Sequence, residues 1–237
     1  MRVARWSLGL VGDLCLTVGA LLLMFVVWQL WWTDVTAGRA QAATVHELSR
    51  DFAASDPAPG GSTPSSTTST PATLPEPAVG KAFAVLRVPR FGADWVRPVI
   101  EGTGHDVLQR GVGHYRGTAM PGAVGNFAIA GHRTTWGRPF HDIDRLRTGD
   151  VVVVETTSAY YVYAVRSHLV VDPTDVRVIA PVPNRPGVGA AKAWLTMTAC
   201  HPKYSAAHRY VVFAELVHTY PHDAGLPQGT LAAPKAA

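Results

Sequence analysis

The sequence has few cysteines, few charges and no common nucleotide- or nucleic-acid-binding pattern. Only two of its 237 residues are cysteines and 16% are charged, with a net charge of +4. It has no Lys/Arg-rich run that would contact nucleic acid, no glycine-rich loop that would hold a phosphate and no repeat of fixed period. We therefore expect no nucleic acid as a partner. The apolar fraction of 47% fits a globular protein with a membrane segment, and the length allows one sizeable domain with appendages.

The N-terminus carries a long apolar run. Residues 14–30 are long enough to cross a bilayer, which takes about 20 mostly apolar residues. Arg2 and Arg5 precede the run and a cluster of three tryptophans ends it, as expected at the two membrane interfaces. Because positive residues stay on the cytoplasmic side, residues 1–33 are predicted to be a cytoplasmic end plus one transmembrane helix. The chain would then be a single-pass protein of the cell membrane with its N-terminus in the cytoplasm and the rest of the chain outside the cell.

A cleaved signal peptide is the alternative for this segment. Ala40-Gln41-Ala42 resembles a cleavage site. The apolar core of a signal peptide spans only about 7–15 residues, however, and its cleavage site follows closely. The apolar run here is longer and ends well before Ala40, so a membrane anchor is favoured.

The stretch after the apolar run is rich in helix formers and then becomes a linker. Val45, Leu48 and Phe52 have helical spacing, so a short exterior helix is predicted over residues 34–54. Residues 55–79 are loaded with Pro, Ser and Thr and lack the apolar residues for a core, which predicts a tether. At about 3.1 Å per residue, residues 55–77 in extended form would hold the next domain up to roughly 70 Å from the bilayer.

Short segments rich in β-branched and aromatic residues follow over residues 80–220, and turn residues separate them. The predicted strands are AFAVLRV, WVRPVIEG, NFAIAGH, VVVVETT, YYVYAVRSHLVV, AWLTMTAC and RYVVFAELV. This pattern predicts an all-β domain, either a closed barrel or a sandwich. The irregular stretch over residues 172–192 is predicted to wall one side of a peptide groove or to be a plain surface loop. Residues 221–237 are predicted to be a disordered tail.

Cys200 is the one cysteine outside the predicted membrane segment, since Cys15 lies within it. An unpaired thiol in an oxidising exterior compartment is unusual. Strand alternation in AWLTMTAC places Leu195 and Met197 on one face and Cys200 on the other, more polar face. A buried structural cysteine is the alternative, but the polar face favours a reactive thiol.

Two basic side chains are candidates to activate this thiol. A thiol with an ordinary pKa of about 8.5 is only a few per cent ionised at neutral pH, so a catalytic one needs a base or a positive partner. His132 ends a predicted strand whose same-face residues leave room for a groove. Arg209 opens the strand after Cys200, so a hairpin would place its guanidinium beside the thiol, where it would stabilise an oxyanion.

These residues lie in two motifs that resemble those of sortases. TMTAC followed by HPKYSAAHR is similar to the TLxTC nucleophile motif and trailing arginine of that family, and GNFAIAGHRTTWGRPF is similar to the segment that carries its histidine. The motifs occur in the family's order, the similarity covers about residues 80–220, and the wording is closest to the actinobacterial class E sortases. The resemblance implies a closed eight-stranded sortase-type β-barrel with short helices, preceded by one N-terminal transmembrane helix.

The resemblance also implies roles for individual residues. Cys200 matches the family's nucleophile, His132 its general acid/base and Arg209 its oxyanion-stabilising arginine. Two positions depart from the nucleophile motif, because Met197 replaces a leucine and Ala199 replaces the threonine just before the cysteine. The substrate-binding residues that the resemblance implies are Tyr115, Thr196, Thr198 and Ala199. Tyr115 is similar to a class E tyrosine associated with choosing alanine in the sorting motif.

The activity that the resemblance implies is transpeptidation. Cys200 would attack the Thr–Gly carbonyl of a C-terminal LAxTG- or LPxTG-like sorting signal on a surface protein, giving a thioester. An amine of a peptidoglycan precursor or of a pilin would then resolve the thioester. No cofactor and no metal are expected. Two other hypotheses stay open: a membrane-tethered β-barrel that binds wall polymer or peptide without chemistry, and a cysteine hydrolase in which water ends the cycle.

Overall fold

The computed structural model describes residues 2–55 and 74–232. Residues 56–73, which make up most of the predicted tether, lie outside the described residues. So do residues 233–237 of the predicted tail. The described parts are a long N-terminal helix and an all-β domain.

A single helix, α1 (Arg2–Ser55), occupies the N-terminus. From Gly12 onward it contains a stretch long and apolar enough to cross a membrane. Residues 34–54, predicted to form a short exterior helix, are helical and continue α1 without a break. The physical reason is that no proline precedes Pro57 and helix formers fill most of this stretch, so nothing ends the helix earlier.

Eight strands form a closed barrel after α1. In chain order they are β1 Ala82–Arg87, β2 Val96–Glu101, β3 Val112–His114, β4 Gly125–Ala130, β5 Val151–Glu155, β6 Ala159–Val171, β7 Ala193–His201 and β8 His208–Pro221. Around the barrel their order is β1-β2-β3-β4-β7-β8-β6-β5, and a short helix, α2 (His105–Leu108), precedes β3. The predicted barrel is confirmed. The strand pattern does not predict β3, because three residues are too few for an alternation to be recognised.

Apolar side chains at alternate strand positions fill the barrel. Phe127 and Ile129 of β4 and Leu195 and Met197 of β7 are fully buried in one cluster. Burying a side chain of this size contributes about 1.5–3 kcal/mol. The predicted alternation in β7 is confirmed. Met197, which departs from the motif leucine, therefore fills a core position and leaves the outer face unchanged.

The C-terminal half of α1 packs against the barrel. Val45, Leu48 and Phe52 lie on one face of the helix and form a second apolar cluster with Val85 of β1. Phe52 is only 2% exposed. The helical spacing of these residues is confirmed, but their face is buried against the β domain. The barrel therefore lies beside the C-terminal half of α1.

The long connection between β6 and β7 covers part of the outer surface of the barrel. Its one-turn 3-10 helix, Val176–Ile179, packs Val178 against Val211 and Phe213 of β8. The side-chain amide of Asn126 on β4 donates to the carbonyl of Val178 at 3.1 Å. These contacts hold the loop over the outer faces of β4 and β8. His132 follows the end of β4, and Arg209 lies at the start of β8.

The end of β8 differs from the predicted disordered tail. The strand runs to Pro221, and the backbone N–H of His222 donates to the carbonyl of Ser158 at 3.0 Å. The ring of His222 packs edge-on against Phe52 of α1, with the ring centroids 5.8 Å apart. The docked helix thus supplies a partner for this segment that strand patterns do not reveal, and turns follow through residue 232.

Candidate active site

Cys200 is the penultimate residue of β7 and is half-buried, with a free thiol. Its neighbour Ala199 belongs to the barrel core, where it is 3% exposed. Because successive strand residues point to opposite faces, the thiol lies on the outer face of the barrel. The prediction that Cys200 stands at a strand end on the polar face is confirmed.

Arg209 lies directly opposite Cys200. β7 and β8 pair antiparallel, and Cys200 and Arg209 are partners in their register. The Nη1 of Arg209 donates to the backbone carbonyls of Ala206 and His208, each at 3.0 Å. The turn between the two strands therefore holds one side of the guanidinium, and the predicted hairpin contact between the two positions is confirmed.

His132 arrives at the same end of the barrel on a parallel strand. In the parallel pair of β4 and β7, Ala130 is the register partner of Thr198, and the N–H of Gly131 donates to the carbonyl of Thr198 at 3.1 Å. His132 lies two residues after Ala130, and Cys200 lies two residues after Thr198. The structure thus brings all three predicted catalytic residues to one end of neighbouring strands.

The environment of His132 favours a neutral imidazole. Burial lowers the pKa of His132, and the charge of His105 lowers it further. The Nε2 of His132 is buried and has no hydrogen-bond partner among residues 2–55 and 74–232. No hydrogen bond within those residues therefore ties up this nitrogen of the imidazole, which can in principle accept or donate a proton.

Tyr115 and Thr198 line a small cavity next to these residues. The cavity has a volume of about 80 Å³ and is bounded by Arg209 and by the β6–β7 loop from Asp172 to Ile179. The hydroxyl of Tyr115 lies 3.0 Å from Oγ1 of Thr198. The first part of the loop, residues 172–179, therefore walls one side of this cavity, and its role in a peptide groove stays a prediction.

Thr196 and Ala199, the other two residues predicted to bind substrate, have almost no exposed surface. Thr196 is fully buried, and its hydroxyl donates to Oδ1 of Asn126 at 2.8 Å. Ala199 points into the barrel core. The loop covers the outer face at Thr196, and alternation turns Ala199 inward, and the substrate-binding role of both residues stays a prediction. It also follows that the missing motif threonine at position 199 does not alter the cavity.

Arg133 is a residue of this site that the sequence did not single out. It is 2% exposed, and its Nη2 pairs with Oδ2 of Asp144 at 2.6 Å. Its Nη1 donates to Nδ1 of His201 at 2.8 Å and to the carbonyl of Cys200 at 3.4 Å. Since arginine only donates, the Nδ1 of His201 must be the unprotonated acceptor. Arg133 therefore ties the segment that carries His132 to the end of β7; its position directly after that histidine was the available signal.

No metal centre accompanies these side chains in the described part of the chain, where no group of three or more His, Cys, Asp or Glu residues is placed to hold an ion. The reactive groups at this end of the barrel are the thiol of Cys200, the imidazole of His132 and the guanidinium of Arg209. This set suits nucleophilic attack on a carbonyl with proton transfer and oxyanion stabilisation.

Comparison with known proteins places the β domain among the sortases. A family profile described as the sortase domain matches residues 86–217. Sortase SrtE1 of Streptomyces coelicolor is 38% identical over 225 residues, which cover 92% of this chain and 59% of that protein. Sortase SrtE2 of the same organism is 33% identical over 227 residues, covering 92% and 85%. The chain thus spans less than two thirds of the length of SrtE1.

Among solved structures, sortase E from Streptomyces avermitilis is 45% identical and superposes with a TM-score of 0.59. The match covers 65% of this chain and 98% of that one. The match therefore extends over nearly the whole of that sortase E chain.

Proposed function

This chain belongs to the sortase family, whose members are cysteine transpeptidases, and from that premise we propose that Cys200, His132 and Arg209 are its catalytic residues. The observation that carries the proposal is the strand register, which pairs Cys200 with Arg209 and leads His132 to the same barrel end. Sortases in general join sorting-signal proteins to cell wall precursors or pilins. The substrate of this chain is a surface protein with a C-terminal LAxTG- or LPxTG-like signal.

The first half of the reaction forms a thioester. The sulfur of Cys200 attacks the carbonyl between Thr and Gly of the signal, and the negative charge that develops on the carbonyl oxygen lies beside the guanidinium of Arg209. Loss of one such donor typically lowers kcat by about 10²–10³-fold. The C–N bond then breaks as His132 donates a proton to the departing glycine amine.

The second half transfers the acyl group to an amine. An amine of a peptidoglycan precursor or of a pilin lysine attacks the thioester, a new amide bond forms, and the sulfur leaves. His132, now neutral, accepts the proton that the amine loses. The same imidazole thus serves as acid in the first half and as base in the second.

Protonation limits the rate of this cycle. The reactive pair is a thiolate with a protonated imidazole, but the lowered pKa of His132 favours the neutral ring at neutral pH. Because the two groups need opposite protonation, only a minor fraction of the enzyme is active at a given moment. Modest turnover follows.

Substrate selection involves the cavity between β7 and the β6–β7 loop. Tyr115 and Thr198 offer hydroxyls there, and the cavity extends to Arg209. A signal peptide lying along this cavity would present its scissile carbonyl to Cys200. The apolar stretch of α1 anchors the chain once in the cell membrane, with the N-terminus in the cytoplasm and the barrel outside, so that exported precursors meet the enzyme at the bilayer.

The test is incubation of the full chain with LAxTG and LPxTG peptides, with and without an excess of a small amine, followed by mass spectrometry. We expect cleavage between Thr and Gly and an amide product when amine is added. Cys200→Ala abolishes both, whereas Cys15→Ala is the matched control and retains them. Binding without cleavage by the unmodified chain would indicate a non-catalytic barrel, and hydrolysis that excess amine does not divert would indicate a hydrolase.

A further inference from the structure

The loop that begins at His132 holds an uncommon backbone conformation. It returns to its starting point, because the N–H of Phe140 donates to the carbonyl of His132 at 3.0 Å. At its far end Trp136, Gly137 and Arg138 have φ angles of 55°, 75° and 47°. The left-handed region is unfavourable for bulky residues such as tryptophan and arginine, so surrounding contacts must hold this turn.

Those contacts come from α1. Asp34 accepts a hydrogen bond from the N–H of Gly137 through Oδ1 at 3.2 Å and pairs through Oδ2 with Nε of Arg138 at 3.1 Å. The side-chain amide of Gln41 donates to the carbonyl of Trp136 at 2.9 Å. All three residues of the left-handed turn are thus bound by two side chains that stand two helical turns apart on one face of α1.

Gln41 is buried at the position where it makes this contact. It is 1% exposed, although glutamine is usually a surface residue. Its Oε1 is buried and has no hydrogen-bond partner within residues 2–55 and 74–232. A buried amide that satisfies only one of its two ends costs stability, so packing alone does not account for a glutamine at this position.

The turn connects back to the catalytic imidazole. The ring of Trp136 packs edge-on against the ring of His105, with centroids 6.3 Å apart. His105 in turn is the neighbour whose charge acts on His132 and lowers its pKa. The segment that α1 contacts therefore touches His105 through the ring of Trp136 and is joined to His132 through the loop backbone.

Resting on the proposed role of His132, we propose that Asp34 and Gln41 of α1 are positioning residues for the catalytic histidine, which makes the membrane-anchor helix part of the catalytic unit. Asp34 follows the outer tryptophan cluster of the predicted span. Residues from both sides, Gln29 and Thr33 of the helix and Thr135 and Trp136 of the loop, line one cavity of about 340 Å³. The loop after His132 therefore lies beside α1 where the predicted membrane span ends.

The experiment uses the full chain in detergent micelles, with kcat and KM for an LAxTG peptide and the pH dependence of kcat/KM as readouts. Asp34→Ala and Gln41→Met are expected to lower kcat by about 10- to 100-fold, since small misplacements of a catalytic group cost this much, with KM within about twofold of the unmodified chain. Asp34→Asn keeps an acceptor for the N–H of Gly137 and is expected to restore most of the rate. Glu47→Ala, an exposed carboxylate on the same helix, is the matched control.

Two further readouts separate positioning from folding. The limb of the pH profile that reports His132 is expected to shift in Asp34→Ala and Gln41→Met, and thermal unfolding shows whether the barrel persists in each variant. Rates equal to that of Glu47→Ala, or losses that match the fraction of unfolded protein with an unshifted limb, would overturn the proposal. Cys200→Ala is assayed in parallel. Activity in that variant would overturn the proposed function as well. If Cys200→Ala is inactive but Asp34→Ala and Gln41→Met keep the rate of the unmodified chain, only the positioning role is removed.

Discussion

Replacing Arg133 by methionine tests how the two halves of the active site are held together. Methionine keeps much of the apolar stem and removes the guanidinium. The lost contacts are the pair with Asp144 at 2.6 Å, the bond to Nδ1 of His201 at 2.8 Å and the longer bond to the carbonyl of Cys200 at 3.4 Å. These contacts join three segments, so their loss affects both stability and the register of the catalytic groups.

The size of the stability change follows from the burial of each partner. A hydrogen bond to a charged group contributes about 1.5–3 kcal/mol, which applies to the His201 contact. Asp144 is 40% exposed, so solvent screening reduces its pair with Arg133 to about 1 kcal/mol. Against this, the Nε of Arg133 is buried without a partner among the described residues, and its removal offsets about 1 kcal/mol or more. The net loss is about 2 kcal/mol, or a fall in Tm of about 4–8 °C for a domain of this size.

The assay is thermal unfolding of the full chain, with peptide cleavage measured on the same samples. Arg145→Met is the matched control, because Arg145 is 59% exposed and its pair with Asp142 is 3.6 Å long, which predicts a change within about 0.5 kcal/mol. Arg133→Lys keeps the charge but loses the fork of donors, so an intermediate Tm and rate are expected. Equal Tm values for Arg133→Met and Arg145→Met would refute the reasoning.

Four other changes have expected outcomes. His105→Gln removes the charge that lowers the pKa of His132, so the limb of the kcat/KM profile that reports His132 should move to higher pH; an unmoved limb would count against this. The pKa of His132 is lower in the folded chain than in the unfolded chain, so stability should fall as pH drops below about 6.5 toward the lowered folded pKa. His132→Asn should flatten this fall in curves of Tm against pH. Tyr115→Phe removes the hydroxyl 3.0 Å from Thr198 and should raise KM for LAxTG peptides by about 2- to 10-fold with kcat unchanged, as steady-state kinetics would show. Arg209→Lys should lower kcat by about 10²–10³-fold in single-turnover cleavage, and a rate near that of the unmodified chain would exclude an oxyanion role.

Local sequence patterns correctly predict which face of a strand each side chain takes and which residues pair across the β7–β8 hairpin. Alternation in β7 places Leu195 and Met197 inside and Cys200 outside, and the structure confirms it. The hairpin argument pairs Cys200 with Arg209, which the register also confirms. These predictions succeed because the side-chain period of a strand and the closeness of a hairpin are local properties.

Burial by distant segments is what local patterns cannot predict. Thr196 stands on the outward face of β7, as alternation requires. The β6–β7 loop nevertheless folds over it, and its hydroxyl donates a hydrogen bond to Asn126. Arg133 follows the predicted histidine in sequence, yet its partners Asp144 and His201 become visible only when three segments meet. Both outcomes depend on loop paths that no periodicity encodes.

The N-terminal helix illustrates the same limit. The spacing of Val45, Leu48 and Phe52 correctly indicates one apolar helix face. An apolar helix face needs a partner to pack against. The proline-rich segment that follows the helix suggests, however, that the barrel is separated from α1 and does not contact it. The choice between a distant and a docked barrel depends on the complementarity of α1 with the barrel, which includes the contact with Val85 of β1 and the fit of Phe52 beside His222 at the end of β8.

The most direct test of the catalytic assignment is whether Cys200 carries an acyl group during turnover. The full chain is mixed with an LAxTG peptide without added amine, and the intact mass is measured before and after hydroxylamine treatment. We expect an increase equal to the peptide portion that ends in threonine, mapped to Cys200, removed by hydroxylamine and retained in Cys15→Ala. Peptide cleavage at an undiminished rate by Cys200→Ala, or an adduct mapped to another residue, would contradict the account.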